Sequence, residues 1–123
     1  MDERFLFEDG ADLQTQLQDA LVSAYSCINE MVPLKERVCA LTRDYKVRRA
    51  ELTVAEREER KTPVSMIDAV VRGNPELADI EYELSLADAA FDANYEAILF
   101  HKKRADSIRD QIGREWADVR NAM

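Results

Sequence analysis

The hydrophobic positions in the second half of the chain follow a heptad repeat. One position recurs every seven residues, at Leu77, Leu84, Phe91, Ile98, Ala105, Ile112 and Val119. Companion positions lie three residues after each of the first six, at Ile80, Ala87, Asn94, His101, Ile108 and Glu115. Such a repeat predicts one helix over about 75–120, which at 1.5 Å per residue would be roughly 68 Å long. Because this exceeds the width of a compact domain, the helix has to pack along other helices of the chain or of other subunits.

The first half of the chain predicts two helices, which follow an irregular segment at 1–11. Helix 12–31 has apolar residues at helical spacing, and helix 33–61 has a stripe of the same kind. Between them, Pro33 lacks a backbone donor and disfavours helical geometry at Val32. We therefore expect a break or kink at this point, with Pro33 in the first turn of the second helix.

The connection between the two long helices contains several start and stop signals. Ser65 followed three residues later by Asp68 resembles a capping box, and it predicts a short helix over 66–72. Gly73 suits a left-handed helix end. The sequence Asn-Pro-Glu at 74–76 has the composition of a helix start, with a capping side chain, a proline and an acidic residue.

These elements predict a single all-α domain covering residues 1–123. The expected architecture is an elongated antiparallel helical hairpin of two long helices, with an N-terminal helix, a short turn helix and coiled-coil-like oligomeric packing. The residues expected to form the packing and oligomer seam are Leu77, Leu84, Phe91, Ile98, Ile112 and Trp116.

Composition favours a helical, non-enzymatic, cytoplasmic protein. The chain has 34% charged residues but only three glycines and three prolines. It has no apolar run near 18 residues, and its acidic start lacks the features of a secretory signal. Cys27 and Cys39 do not have metal-ligand spacing, so we expect buried thiols in a reducing compartment. With one histidine and no glycine-rich phosphate loop, neither catalysis nor a metal or cofactor is expected.

Charge is segregated along a chain whose net charge is −8. Residues 73–96 contain seven acidic residues and no basic one, whereas 43–61 and 101–114 are rich in arginine and lysine. In an antiparallel hairpin, basic 43–61 would lie beside the acidic segment and 101–114 beside the acidic first helix. Pairing of these blocks accounts for part of the basic residues, although each exposed pair contributes only about 0–1 kcal/mol.

The remaining basic residues favour a second interpretation, contact with nucleic-acid phosphates. A four-residue cationic run covers most of the circumference of a helix, so part of it points away from any partner helix. The candidate nucleic-acid-binding residues are Arg43, Lys46, Arg48, Arg49, Lys102, Lys103 and Arg104. The sequence leaves both interpretations open.

Four further side chains also have two interpretations. Asn94 and His101 interrupt the apolar seam, which is typical of a polar layer that sets register or oligomer state. His101 could instead contact a partner, because it precedes two lysines. Tyr95 and Trp116 neighbour the seam, and packing is the more frequent role of such aromatics than stacking on bases.

The order of elements resembles that of the UvsY-like recombination mediators of tailed phages. The resemblance rests on a helix ending near AYSCINEM, a break at 32–33, the charged helix LKERVCALTRDYKVRRAEL, a short polar turn helix and the long helix ELADIEYELSLADAAFDANYEAILFHKKRADSIRDQIGREW. It covers residues 20–120 and is a pattern of architecture, without a signature of fixed residues. It departs from the family in the net charge, which is acidic for a DNA-binding protein.

This resemblance implies a homo-oligomer that binds single-stranded DNA and helps load a RecA-type recombinase onto strands coated with single-strand-binding protein. It assigns strand binding to the basic stretch YKVRRAEL, and therefore to Lys46, Arg48 and Arg49. It implies no catalysis and no cofactor of the protein's own. The alternative is a protein–protein interaction module: a coiled-coil adaptor, a phage assembly or scaffold protein, or an acidic inhibitor of a host protein.

Overall fold

The computed structural model describes residues 10–122 of the 123-residue chain, and the side chains of 12–122. It contains three helices, which are α1 (Gly10–Glu58), α2 (Val64–Arg72) and α3 (Pro75–Ala122), and no strand in this range. The all-α class is confirmed. Residues 10 and 11 are helical where an irregular segment was predicted, and the rest of that segment lies outside the described residues.

The predicted boundary between two helices at Val32 and Pro33 is wrong, because α1 continues through Pro33. A kink at this point stays a prediction. A proline inside a helix removes one hydrogen bond and crowds the carbonyl of the residue four positions earlier, at a cost of about 3 kcal/mol. The apolar stripe continues on both sides of it, with Met31 and Leu34 half-buried and Val38 buried. Burial of this stripe offsets the local cost, since tertiary packing overrides helix propensity.

The turn after α1 is held by a buried glutamate. Glu56 is 6% exposed, and its carboxylate accepts hydrogen bonds from the Thr62 hydroxyl and from Nη1 of Arg60, the latter at 2.9 Å. The backbone carbonyl of Glu56 accepts a further bond from the Thr62 N–H at 3.0 Å. Lys61, between these partners, has a φ of 53°. The last three residues of the predicted helix 33–61 therefore belong to a turn.

The short helix is confirmed, but its predicted end signals are wrong. α2 begins after Pro63 without a side-chain capping hydrogen bond, so Ser65 lies inside the helix. Asp68, the expected capping partner, forms an ion pair with Arg49 of α1 at 3.2 Å. Gly73 has right-handed geometry, with φ −78° and ψ −3°, and its N–H donates to the carbonyl of Ala69 at 3.1 Å.

The start of α3 agrees with the sequence. The side-chain oxygen of Asn74 accepts hydrogen bonds from the backbone N–H groups of Glu76 at 3.0 Å and Leu77 at 3.3 Å. These bonds satisfy two of the amides that have no partner inside the first turn of a helix. From Pro75, α3 runs to Ala122, two residues beyond the predicted end.

The chain forms two compact units, each built from parts of α1 and α3. Unit 1 comprises residues 1–31 and 93–123, and unit 2 comprises 32–92, including α2. The core of unit 1 contains Leu13, Ala20, Ala105 and Ile108, with Leu17 and Ile112 against them. At the other end of unit 1, the Asn94 side chain donates to the Cys27 carbonyl at 2.8 Å, so these segments of α1 and α3 are antiparallel. The prediction of a single domain stays a prediction.

Unit 2 has its own core at α2. Ile67 and Val71 of α2 pack with Leu77 of α3, and Tyr45 and Leu52 of α1 lie against them. Within this unit, Arg37 of α1 pairs with Glu83 of α3 at 3.2 Å. The expected pairing of basic α1 with acidic α3 is therefore present here. In the second basic segment, Arg109 pairs inside α3 with Asp106 at 3.3 Å.

Most of the predicted heptad seam is covered, wholly or in part, by the chain itself, but Val119 is 53% exposed. Leu77 and Ile98 are buried, and Leu84, Phe91 and Ile112 are half-buried. Trp116, which follows a companion position by one residue, is 65% exposed. The seam thus serves the cores of the two units. Oligomeric packing and the elongated hairpin stay predictions.

Two further sequence expectations concern the thiols and the membrane. Both cysteines are free; Cys27 is half-buried, but Cys39 is exposed, so the expectation of two buried thiols is wrong for Cys39. None of the described helices is long and apolar enough to cross a membrane.

Candidate nucleic-acid interface

One face of α1 in unit 2 carries two adjoining open grooves. Their volumes are about 490 and 450 Å³. Their linings include four basic residues, which are Lys35, Arg43, Lys46 and Arg49, and no acidic one. The other lining residues are Val38, Cys39, Thr42, Tyr45, Ala50, Thr53 and Val54. We call this surface the basic groove.

Helical spacing explains why these residues share a face. Steps of three or four residues link Lys35, Cys39, Thr42, Lys46 and Arg49, so they form one stripe along the helix. The stripe lies beside the core-facing side of α1. The basic groove therefore lies on a helix whose core-facing side is anchored in the core of unit 2.

The floor of the basic groove is mainly apolar, and its two threonine hydroxyl groups already donate to backbone carbonyls. The Thr42 hydroxyl donates to the Val38 carbonyl at 2.7 Å, and the Thr53 hydroxyl donates to the Arg49 carbonyl at 2.8 Å. Cations above an apolar floor suit a ligand with an anionic backbone and flat bases, such as a single strand.

Three cations of the basic groove are weakly engaged. Lys46 is exposed, and the Arg43 side chain is exposed with Asp44 3.9 Å away, at the limit for an ion pair. The Lys35 ammonium lies 4.9 Å from the centroid of the Phe91 ring, a cation–π contact that leaves its charge uncompensated. These three can meet phosphates without breaking a strong internal ion pair.

The two adjacent arginines have intramolecular partners. Arg48 donates to Glu76 at 2.8 Å and to Glu51 at 3.0 Å, and Arg49 donates to Asp68 at 3.2 Å. The pKa of Arg48 is raised above its ordinary value. The largest cause is its hydrogen bond to Glu51, and the next is its hydrogen bond to Glu76. Internal ion pairs therefore account for both arginines, which the sequence placed among the candidate nucleic-acid-binding residues. Arg48 lies outside the basic groove, and Arg49 lies at its edge.

The second basic run belongs to unit 1, and its side chains point in different directions around α3. Lys102 and Lys103 are exposed. Arg104 is half-buried, and its Nε has no hydrogen-bond partner. His101 is also half-buried with an unpartnered Nδ1, and its ring meets that of Phe100 edge-on at 5.3 Å. Of the seven predicted binding residues, Arg43, Lys46 and Arg49 share the basic groove, and the run at 102–104 is on the other unit.

Sequence reasoning missed Lys35. The signal was present, because Lys35 precedes Thr42 by seven residues and Lys46 by eleven, both of which place it on the same helical face. Tyr95 and Trp116 are exposed within this chain, and their packing in an oligomer stays a prediction. Tyr45 of α1, by contrast, is half-buried against the core of unit 2.

The described residues contain no cluster of three or more histidine, cysteine, aspartate or glutamate side chains that could hold a metal ion. Comparison with known protein families, with curated proteins and with solved structures gave no match. The basic groove and the exposed surfaces of the two units are therefore the features of this chain that bear on its function.

Proposed function

We propose that this protein is a non-enzymatic helical module that binds single-stranded nucleic acid through the basic groove. The observation that carries the proposal is a helix face lined by four cations and no acidic residue, although Asp68 pairs with Arg49 at its edge, in a chain of net charge −8. A local cationic track can bind phosphates although the molecule is acidic, because interactions beyond a Debye length of about 8 Å are screened at physiological salt.

The spacing of the free cations suits a strand that follows α1. Lys35 and Lys46 are eleven residues apart, which corresponds to roughly 16 Å along a helix, with Arg43 between them. Contacts of this kind are made to the phosphate backbone, so the expected binding has little sequence preference.

The resemblance to UvsY-like mediators gives this binding a biological setting. In that setting the protein would assist the loading of a RecA-type recombinase onto strands held by single-strand-binding protein, in the cytoplasm of the host. Self-association would strengthen it, because several weak basic grooves on one assembly raise the affinity for a long strand.

Fluorescence anisotropy of a labelled 30-nucleotide strand tests the binding. In the test variant, Lys35, Arg43 and Lys46 are each replaced by glutamate. The control variant replaces Arg72, Arg114 and Arg120 by glutamate, which changes the net charge equally at exposed positions outside the basic groove. We expect the test variant to lose binding and the control to retain most of it. Equal loss in both, or no binding by the wild type at low salt, would contradict the proposal.

A protein–protein interaction module is the second candidate. The observation that favours it is the number of large apolar side chains that this chain leaves exposed, including Tyr25, Tyr82, Phe100 and Trp116. Apolar surface of this extent marks interaction sites when it is contiguous. Strand binding with no detectable protein partner would favour the first candidate, and the reverse would favour the second.

A further inference from the structure

Unit 1 has an exposed apolar face that its own core does not use. Leu21, Tyr25 and Ile28 of α1 and Tyr95 and Leu99 of α3 are between 38% and 67% exposed. Leu21 and Ile28 are seven residues apart with Tyr25 between them, so they form a stripe on α1. We call these five residues the apolar face of unit 1.

Antiparallel helix geometry places both parts of this face on the same side. Leu21 and Tyr25 directly follow the buried residues Ala20 and Ala24, and Leu99 directly follows the buried residue Ile98. One residue is a rotation of about 100° around a helix. Because the two helices are antiparallel, the residue that follows a core-facing residue points to the same side of the helix pair in both helices.

The contacts inside unit 1 also align the two stripes along the helices. Asn94 contacts the backbone of Cys27, and Leu13 packs in one cluster with Ile108. In that register, Tyr25 is level with the midpoint between Tyr95 and Leu99. The five side chains therefore form one patch centred on Tyr25.

The patch is large enough to be a contact surface. An aromatic side chain buries roughly 150–250 Å² when fully covered. At their exposures, the two tyrosines alone present roughly 170–290 Å², and three aliphatic side chains add to this. A patch of this size is comparable to the roughly 300–600 Å² apolar patches that often mark functional sites on monomers.

Charges on α3 favour a second copy of this chain as the partner. Asp92, which directly precedes unit 1 along α3, lies three residues before Tyr95, and Lys102 lies three residues after Leu99. The positions of Asp92, Tyr95, Leu99 and Lys102 are thus symmetric about the centre of the patch. An acidic residue lies at one end and a basic residue at the other. Both charged residues are exposed. A two-fold axis through the centre would set Asp92 of each copy against Lys102 of the other, as an isologous interface requires.

We propose that two copies of this chain associate through the apolar face of unit 1, with α3 antiparallel to α3 of the partner. Tyr25 and Leu99 are buried at the centre of the contact, and the Asp92–Lys102 pairs fix its register at both ends. This inference does not depend on nucleic-acid binding. It also assigns self-association to a surface other than the heptad seam, which the cores of the two units already occupy.

Charge exchange tests the symmetry directly, with self-association measured by sedimentation velocity. Asp92→Lys alone sets lysine against lysine at both ends of the dimer, and Lys102→Asp alone sets aspartate against aspartate. We expect each single variant to weaken self-association on the order of tenfold, which is about 1.4 kcal/mol. An equimolar mixture of the two should regain wild-type affinity as a heterodimer with two restored pairs. Asp118→Lys, the same charge change at an exposed position that points about 100° away from Leu99 around α3, should leave the affinity unchanged.

Cross-linking tests the position of the axis without relying on charge. In a Cys27→Ser/Cys39→Ser background, Tyr25→Cys should cross-link two copies efficiently with a short bis-maleimide. Ser26→Cys, the exposed neighbour that points to another side of α1, should react far less. Circular dichroism of each variant confirms that the helices remain formed.

A wild-type protein that stays monomeric at 100 μM would overturn the proposal. So would self-association that is the same in both single charge variants, or equal cross-linking at positions 25 and 26. Strand binding can persist in all of these cases, so failure of this interface and failure of the basic groove are distinguishable.

Discussion

The hydrogen bonds of Glu56 should make a measurable contribution to stability. Its carboxylate, 8% exposed, accepts from the Thr62 hydroxyl and from Arg60. Hydrogen bonds to a charged group contribute about 1.5–3 kcal/mol when partly buried. The Arg60 side chain is 74% exposed and the pair is spaced i,i+4, so this contact contributes only about 0.3–0.5 kcal/mol. We therefore expect Glu56→Ala to lower the free energy of unfolding by about 2–3 kcal/mol.

A double-mutant cycle separates the Thr62 contact from the rest. Urea unfolding, followed by circular dichroism at one fixed protein concentration, would give values for Glu56→Ala, Thr62→Ala and the double variant. The structure predicts a coupling energy of at least about 1 kcal/mol between the two positions. Arg60→Ala serves as the control and should cost about 0.5 kcal/mol or less. Additivity of Glu56→Ala and Thr62→Ala within about 0.3 kcal/mol would refute the reasoning.

Three other substitutions test the fold and the assignment of the arginines. Pro33→Ala should raise the free energy of unfolding by roughly 1–3 kcal/mol, because α1 continues through this position; a loss of stability in urea unfolding would contradict that. Ile108→Ala should lower it by about 2–5 kcal/mol, since this side chain is buried in the core of unit 1, and a cost below about 1 kcal/mol would contradict the packing. Arg48→Met should change strand affinity less than twofold in the anisotropy titration, because Glu51 and Glu76 already pair with Arg48, and a tenfold loss would place it in the interface.

Long-range periodicity made α3 predictable. Six successive heptads predict one long helix, and the Asn-Pro-Glu sequence predicts where it starts. The helix begins at that point. The alternation of buried and exposed residues also follows the repeat, from Leu77 through Ile98 to Ile112. These features depend on local geometry, which one sequence specifies directly.

The errors arose where tertiary contacts override a local rule. Pro33 lies within a helix because burial on both sides of it outweighs one lost hydrogen bond. The sequence predicts that Asp68 belongs to a capping box, but its side chain pairs with Arg49, which is nineteen residues away. Glu56 was not singled out at all, because its burial depends on the turn that follows α1.

The candidate site was partly predictable for the same reason. A run of cations on one helical face is visible in the sequence, and it included Arg43, Lys46 and Arg49. Which of those cations already have carboxylate partners depends on contacts between helices. Those contacts remove Arg48 from the candidates, whereas Lys35 joins them because it lines the same groove as Arg43 and Lys46.

The salt dependence of strand binding tests the central claim most directly. For single strands, log K falls with log salt with a slope of about −0.7 per neutralised phosphate. The three or four cations of the basic groove therefore predict a slope between roughly −2 and −3 for the wild type. Lys46→Gln should make the slope shallower by about 0.7, while Arg114→Gln, outside the basic groove, should leave it unchanged. A wild-type slope near zero, or equal slopes for wild type and Lys46→Gln, would contradict strand binding in the basic groove.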